Sequence, residues 1–138
     1  MDAAYLWQFL LPGYLFTITI ETPVLFFGLS ERHSARTRIF AGIWLTACTY
    51  PIVVLVLPLL IDPTEYHATY LAVAETFAPL AECALFWAAF GKLEEFGRFS
   101  MWQDLAVVTL ANLASFLCGE WLYLLQDVWP LLRPGAWF

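Results

Sequence analysis

Residues 18–27, ITIETPVLFF, place one carboxylate, Glu21, and one proline, Pro23, inside a run of side chains that otherwise belongs in hydrocarbon. A bare carboxylate is costly in a bilayer core, so such a stretch reads as a helix with one face turned away from lipid. The fold then depends on how many such runs the chain holds and on what their polar residues face.

Of the 138 residues, 62% are hydrophobic and 13% charged, and the mean hydropathy is +0.71. A water-soluble domain of this size needs more polar surface, which puts the chain in the membrane class. Cutting at charges and turn residues leaves four apolar runs, about 4–29, 39–61, 68–91 and 105–126. At about 1.5 Å per residue each is long enough to cross a core about 30 Å thick. Membrane-barrel strands are about ten residues long and alternate in and out, and these runs do neither. The expected fold is all-α: one integral membrane bundle of four transmembrane helices over 1–138, with an interfacial C-terminal tail at 127–138.

The first run reads as a retained helix, not a removable signal peptide, because no Lys or Arg precedes it and no small-residue cleavage site follows. The net charge of −6 says little about partners, since Glu21, Glu75, Glu82 and Glu120 lie within the runs and the other acids are scattered. The basic residues are more informative. Arg32, Arg36 and Arg38 fall in 30–38, Lys92 and Arg98 in 92–104, and Arg133 alone in the tail. The positive-inside rule then predicts a multi-pass protein of the cell inner membrane with both termini extracytoplasmic. Tryptophans agree: Trp44, Trp87 and Trp102 fall near the inner interface, and Trp7, Trp121, Trp129 and Trp137 near the outer one. Cys48, Cys83 and Cys118 lie inside runs, without a CxxC, and read as buried thiols.

Depth orders the polar residues. Counted from the Arg-rich end, Glu21, Thr46, Thr49, Glu82, Asn112 and Ser115 all lie about 12–16 Å deep, near the bilayer midplane. Thr46 and Thr49 share a helix face, as do Asn112 and Ser115, and as do Glu75, Pro79 and Glu82. Lipid cannot satisfy these groups, so their faces are expected to turn inward. Glu21 should therefore meet hydroxyls, an amide and another carboxylate. Pro23, Pro51 and Pro79 each free the carbonyl four residues earlier, those of Thr19, Ala47 and Glu75, as further expected acceptors for a cation or water. A short internal repeat accompanies the layer. LTACTYP (45–51) matches LANLASF (110–116), each preceded by a glutamate-bearing helix, ETPVLFF and ECALFW. Such a repeat predicts two helical hairpins related by an axis along the membrane normal.

ETP in the first run, TACTYP in the second, AETFAPLAE in the third and ANLAS in the fourth resemble a group of small bacterial four-helix membrane proteins without an assigned activity. The resemblance implies the architecture and carries no substrate. Small multidrug exporters also use a glutamate in their first helix, but with different flanks, and the Gly- and Asn-rich motifs of small fluoride channels are absent.

The candidate ion- or proton-binding residues are Glu21, Glu75 and Glu82, with Thr46, Thr49, Asn112 and Ser115 as neutral ligands. Two carboxylates in one low-dielectric site cannot both ionise cheaply, so one is expected to hold a proton or small cation. No Lys or Arg falls inside the expected helices to neutralise them. These residues point to a cation or proton pathway: a transporter, a channel or an ion-handling subunit. The alternative is a structural or assembly subunit of a larger membrane complex, with the polar layer as glue worth roughly 0.6–2 kcal/mol per contact. Expected partners are the lipid bilayer, other membrane subunits or a second copy, and a proton or small cation; no cofactor and no nucleic acid are expected. An enzyme fits less well, as no HExxH, GxSxG or CxxC occurs and neither His33 nor His67 is expected within a helix. Asp62, Glu65 and His67 offer metal-ligand chemistry in the outer loop, but read better as a solvated, helix-capping turn.

Overall fold

The structure, a computed structural model, describes residues 3–91 and 98–128. Among these residues four helices make up the fold: α1 (Ala3–Gly28), α2 (Ala35–Leu60), α3 (His67–Phe90) and α4 (Arg98–Val128). Each holds a segment long and apolar enough to cross a membrane, namely Leu10–Gly28, Ala35–Leu60, His67–Phe90 and Ser100–Leu122. Helix α1 packs on α2 and α4, and α3 packs on those same two helices, so α1 and α3 stand on one diagonal of the bundle. Short links between consecutive helices give this up-and-down arrangement. The start of α1, the end of α4 and the α2–α3 turn share one end, here the termini end; the α1–α2 turn marks the other.

Two helices begin earlier than the hydropathy predicts. Helix α2 starts at Ala35, not 39, because the Ser34 Oγ accepts the Thr37 N–H at 3.2 Å and caps the first turn. Arg36 and Arg38 thereby enter the helix, contrary to the expectation of basic-free helices. Helix α4 starts at Arg98, not 105, so Asp104 is a helical residue and not part of a loop. It can be buried there because neighbouring donors satisfy its carboxylate, as described below. His67 likewise opens α3 as its first residue. The expected tail anchoring by Trp129 and Trp137, and the acids Glu94 and Glu95 that follow Lys92, lie outside the described residues.

Helix α2 is irregular near the termini end. Pro51 has no N–H, and the turn after it, Ile52–Val56, is π-helical, with the Leu57 N–H bonded back to the Ile52 carbonyl. The Tyr70 hydroxyl of α3 donates to the Val53 carbonyl at 3.1 Å. Loosened backbone is tolerable at membrane depth when a neighbouring helix pairs with it. In the α2–α3 turn, Asp62 Oδ1 accepts the Thr64 N–H at 2.8 Å and the Thr64 hydroxyl at 2.6 Å.

The apolar core fills only the α1–α2-turn half of the bundle. Leu25, Leu29, Ala41, Leu45, Phe86, Met101, Val108 and Ala111 are buried together there. Beside them α1 and α2 touch at Gly42, where an added Cβ would lie 2.8 Å from the Thr22 Cα. This close approach sets Glu21 against Thr46, four residues along α2. The outer face carries Leu15, Phe27, Leu80 and Leu110, all exposed on the protein and apolar, as a lipid-facing surface requires.

Candidate functional site

The other half of the bundle encloses a cavity of about 250 Å³. Each helix lines it with one stripe at helical spacing: Gly13, Phe16, Thr17 and Glu21 on α1, Thr46, Thr49, Tyr50 and Val53 on α2, Glu75, Ala78 and Glu82 on α3, and Asn112, Ser115, Phe116 and Gly119 on α4. Among the described residues its lining holds no Lys, Arg or His.

Two carboxylates form the floor, Glu21 at 2% exposure and Glu82 at 1%. Glu21 Oε2 accepts from the Thr46 hydroxyl at 2.6 Å, and Oε1 from the Ser115 hydroxyl at 2.7 Å. Glu82 Oε1 accepts from the Thr49 hydroxyl at 2.7 Å, and Oε2 from the Asn112 side-chain amide at 2.7 Å. Each hydroxyl also stands next to a main-chain carbonyl. Thr46 Oγ1 is 2.8 Å from the Gly42 oxygen, Thr49 Oγ1 3.1 Å from that of Leu45, and Ser115 Oγ 2.9 Å from that of Asn112. A hydroxyl has one proton to give and lone pairs to accept another. Facing an ionised carboxylate it donates to it; facing a protonated one it accepts and turns its own proton onto the carbonyl. The floor thus leaves no group unsatisfied in either charge state.

The cavity is blind. From the floor its lining climbs through Tyr50, Glu75 and Glu120 towards the termini end. Below the floor, Leu25, Leu45, Phe86 and Val108 are each at most 1% exposed. One turn further down, a polar clasp closes the bundle. Asp104, fully buried, accepts from the Ser30 N–H at 2.7 Å, the Ser30 hydroxyl at 3.0 Å, and Arg32 at 2.6 and 2.8 Å. His33 Nε2 lies 3.0 Å from Asp104 and 2.9 Å from Arg32 Nε, so its tautomer decides whether it donates to the acid or accepts from the guanidinium. The His33 ring packs edge-on against Phe86 and Phe90. Arg38 donates to the carbonyls of Phe26, Ser30 and His33, and so satisfies the Phe26 acceptor in the last turn of α1 while bracing the turn that follows.

Six of the seven residues singled out from the sequence meet in the floor: Glu21, Glu82, Thr46, Thr49, Asn112 and Ser115. Glu75 stands apart on the cavity wall, about two turns above Glu82, with no side-chain hydrogen bond among the described residues. Two of the three proline-freed carbonyls are a correction; Glu75, four residues before Pro79, is the residue of the three that lines the cavity. Thr19 is exposed on the outside of α1, and neither Thr19 nor Ala47 lines the cavity. Thr19 and Pro23 lie two residues either side of Glu21, about 200° round the helix, and so face away from it. Pro51 and Ala47 line an apolar groove with Leu10, Leu11 and Tyr14.

Two contributors went unread in the sequence. Glu120 on the cavity wall is eight residues beyond Asn112, which a helical stripe drawn through Ser115 and Phe116 would have reached. Asp104 is eight residues before Asn112 on that same stripe, but its neighbourhood of charges read as loop. Outside the spans, the two Thr64 bonds hold the Asp62 carboxyl below the usual aspartate range. The cysteines are free and partly buried.

No family model, curated protein or solved structure matches the chain.

Proposed function

We propose that this chain exchanges protons at the Glu21–Glu82 floor, as a small transporter or an ion-handling subunit, with a small cation as the competing cargo for the same carboxylates. The observation that carries this reading is the placing of Thr46, Thr49 and Ser115, each between a carboxylate oxygen and a main-chain carbonyl. A buried carboxylate that must gain and lose charge needs partners that serve both forms, and these hydroxyls do. Access from one face only suits a gated carrier better than an open channel. With the Arg-bearing α1–α2 turn in the cytoplasm of a bacterial inner membrane, the vestibule opens outward.

The test is a flux screen of proteoliposomes across protons, monovalent cations and divalent cations. Wild-type protein should pass protons, and Glu21→Gln should not, while remaining folded. A screen in which nothing moves, with fold intact, sinks the reading.

The assembly-subunit reading is favoured by a different observation: all four oxygens of the two carboxylates already bond to neighbouring helices, as glue would. It predicts that Glu21→Gln is silent and that the purified chain stays bound to other membrane subunits.

A further inference from the structure

We infer that the Asp104 clasp is the gate of the cavity's closed end, and that releasing it opens the floor to the opposite membrane face. This rests on the reading that the floor is the exchange site.

The clasp joins the two halves of the molecule. Ser30, Arg32 and His33 belong to the turn of the α1–α2 hairpin, and Asp104 belongs to α4 of the other hairpin. Among the described residues, an apolar layer that includes Leu25, Leu29, Leu45, Phe86 and Val108 lies between the floor and the clasp, and Gln103 of α4 donates to the Gly28 carbonyl of α1 at 3.2 Å at the exposed edge of the same end. Apolar contacts slide and re-form without leaving an orphaned group, whereas a carboxylate with four donors has one well-defined closed state. Buried ion pairs return little net stability against residues of similar shape, because desolvation offsets the attraction. Such a pair makes sense at a contact that must be definite when shut and still able to part. Once parted, Arg32 and Asp104 sit within reach of the membrane surface and can rehydrate there.

The floor supplies the pivot. Thr49 and Ser115 each cross from one hairpin to the carboxylate of the other, near the middle of the bundle. Rocking one hairpin against the other about this level closes the wide end as it opens the clasped one, the motion expected of two repeated units around a fixed site.

The experiment uses the full chain with Cys48, Cys83 and Cys118 replaced and one cysteine placed at Ala78 on the cavity wall. The probe is a small, membrane-impermeant, cationic methanethiosulfonate, applied to each face of oriented vesicles. The parent should be modified from the termini face only, and Asp104→Asn and Arg32→Gln from both. A cysteine pair, Ser30→Cys with Asp104→Cys and without the probe cysteine, guards against misfolding. Its disulfide should stop proton flux, and reduction should restore it. Folded Asp104→Asn and Arg32→Gln that stay closed to the α1–α2-turn face would overturn the gate, as would undiminished flux through the cross-linked pair. Absence of flux in the parent, with labelling still switching from one face to both, would remove the proton reading and leave the gate standing.

Discussion

Glu21 and Glu82 are bonded alike: each carboxylate takes one hydrogen bond from its own hairpin and one from the other. Thr46 serves Glu21 and Asn112 serves Glu82 within the hairpins, while Ser115 and Thr49 cross between them. The two-fold pattern is broken at one place, where α2 offers a hydroxyl and α4 an amide. An amide nitrogen only donates, so any proton carried by Glu82 belongs on Oε1, facing Thr49.

Glu21→Leu removes both acceptors and should destabilise the bundle by about 1 kcal/mol, the scale of a polar contact between membrane helices. Glu21→Gln keeps shape and hydrogen bonding and should unfold close to wild type. Reversible unfolding in mixed micelles measures both; equal losses would mean that the charge itself holds the helices.

Gly42→Ala should cost about 1–3 kcal/mol, since the new methyl meets the Thr22 backbone and must push α1 from α2. Gly119→Ala is the control: nothing lies within 4 Å of its Cβ position. Thermal melts in detergent should separate the two, with Gly119→Ala neutral or slightly stabilised as helix propensity predicts.

Asp104→Leu takes the carboxylate from Arg32 and should cost up to about 3–5 kcal/mol, less the hydration that Arg32 regains at the membrane surface. Adding Arg32→Met should recover most of that loss, because an apolar pair demands no compensation. A four-way comparison of unfolding free energies checks the coupling; simple additivity would contradict the paired burial.

Thr64→Ala should raise the titration of Asp62 towards the ordinary aspartate value of about 3.9 by removing its hydroxyl donor. In the parent this carboxyl titrates below that value, so its small contribution to stability is complete above the ordinary value and fades as pH falls through the lowered one. Carbon-detected NMR of the Asp62 carboxyl follows the shift, and coincident curves would refute it.

Orientation is open to labelling on a background free of native cysteines. Glu65→Cys should react with an impermeant maleimide added to intact cells, and Ser34→Cys should not. The reverse pattern would place the vestibule mouth in the cytoplasm.

The four spans and the carboxylate floor were legible because both rest on quantities a sequence carries directly, apolar length and depth counted along a helix. Thr46, Thr49, Asn112 and Ser115 announced themselves as polar residues with nowhere in lipid to go. Asp104 did not, because a carboxylate beside a charged stretch reads as solvated, and only three-dimensional packing brings Arg32 and Ser30 onto it. Pro23 and Pro51 misled for a related reason: a proline fixes which carbonyl loses its donor, not which way the helix turns that residue, and Thr19 faces the outside of α1 while Glu75, ahead of Pro79, reaches the cavity.

The π-helical turn at Ile52–Val56 makes α2 one residue longer than its path through the bundle needs. Length change is ordinarily fatal inside a membrane helix, because one residue more or fewer swings everything beyond it by about 100°. Here the slack is already present. Dropping Val54 or Leu55 would let the turn relax to an ordinary helical one, with Thr49 and Tyr50 still on the cavity and Leu57 and Pro58 still buried. Single-codon deletions should therefore be tolerated in this one stretch of α2 and nowhere nearer the floor.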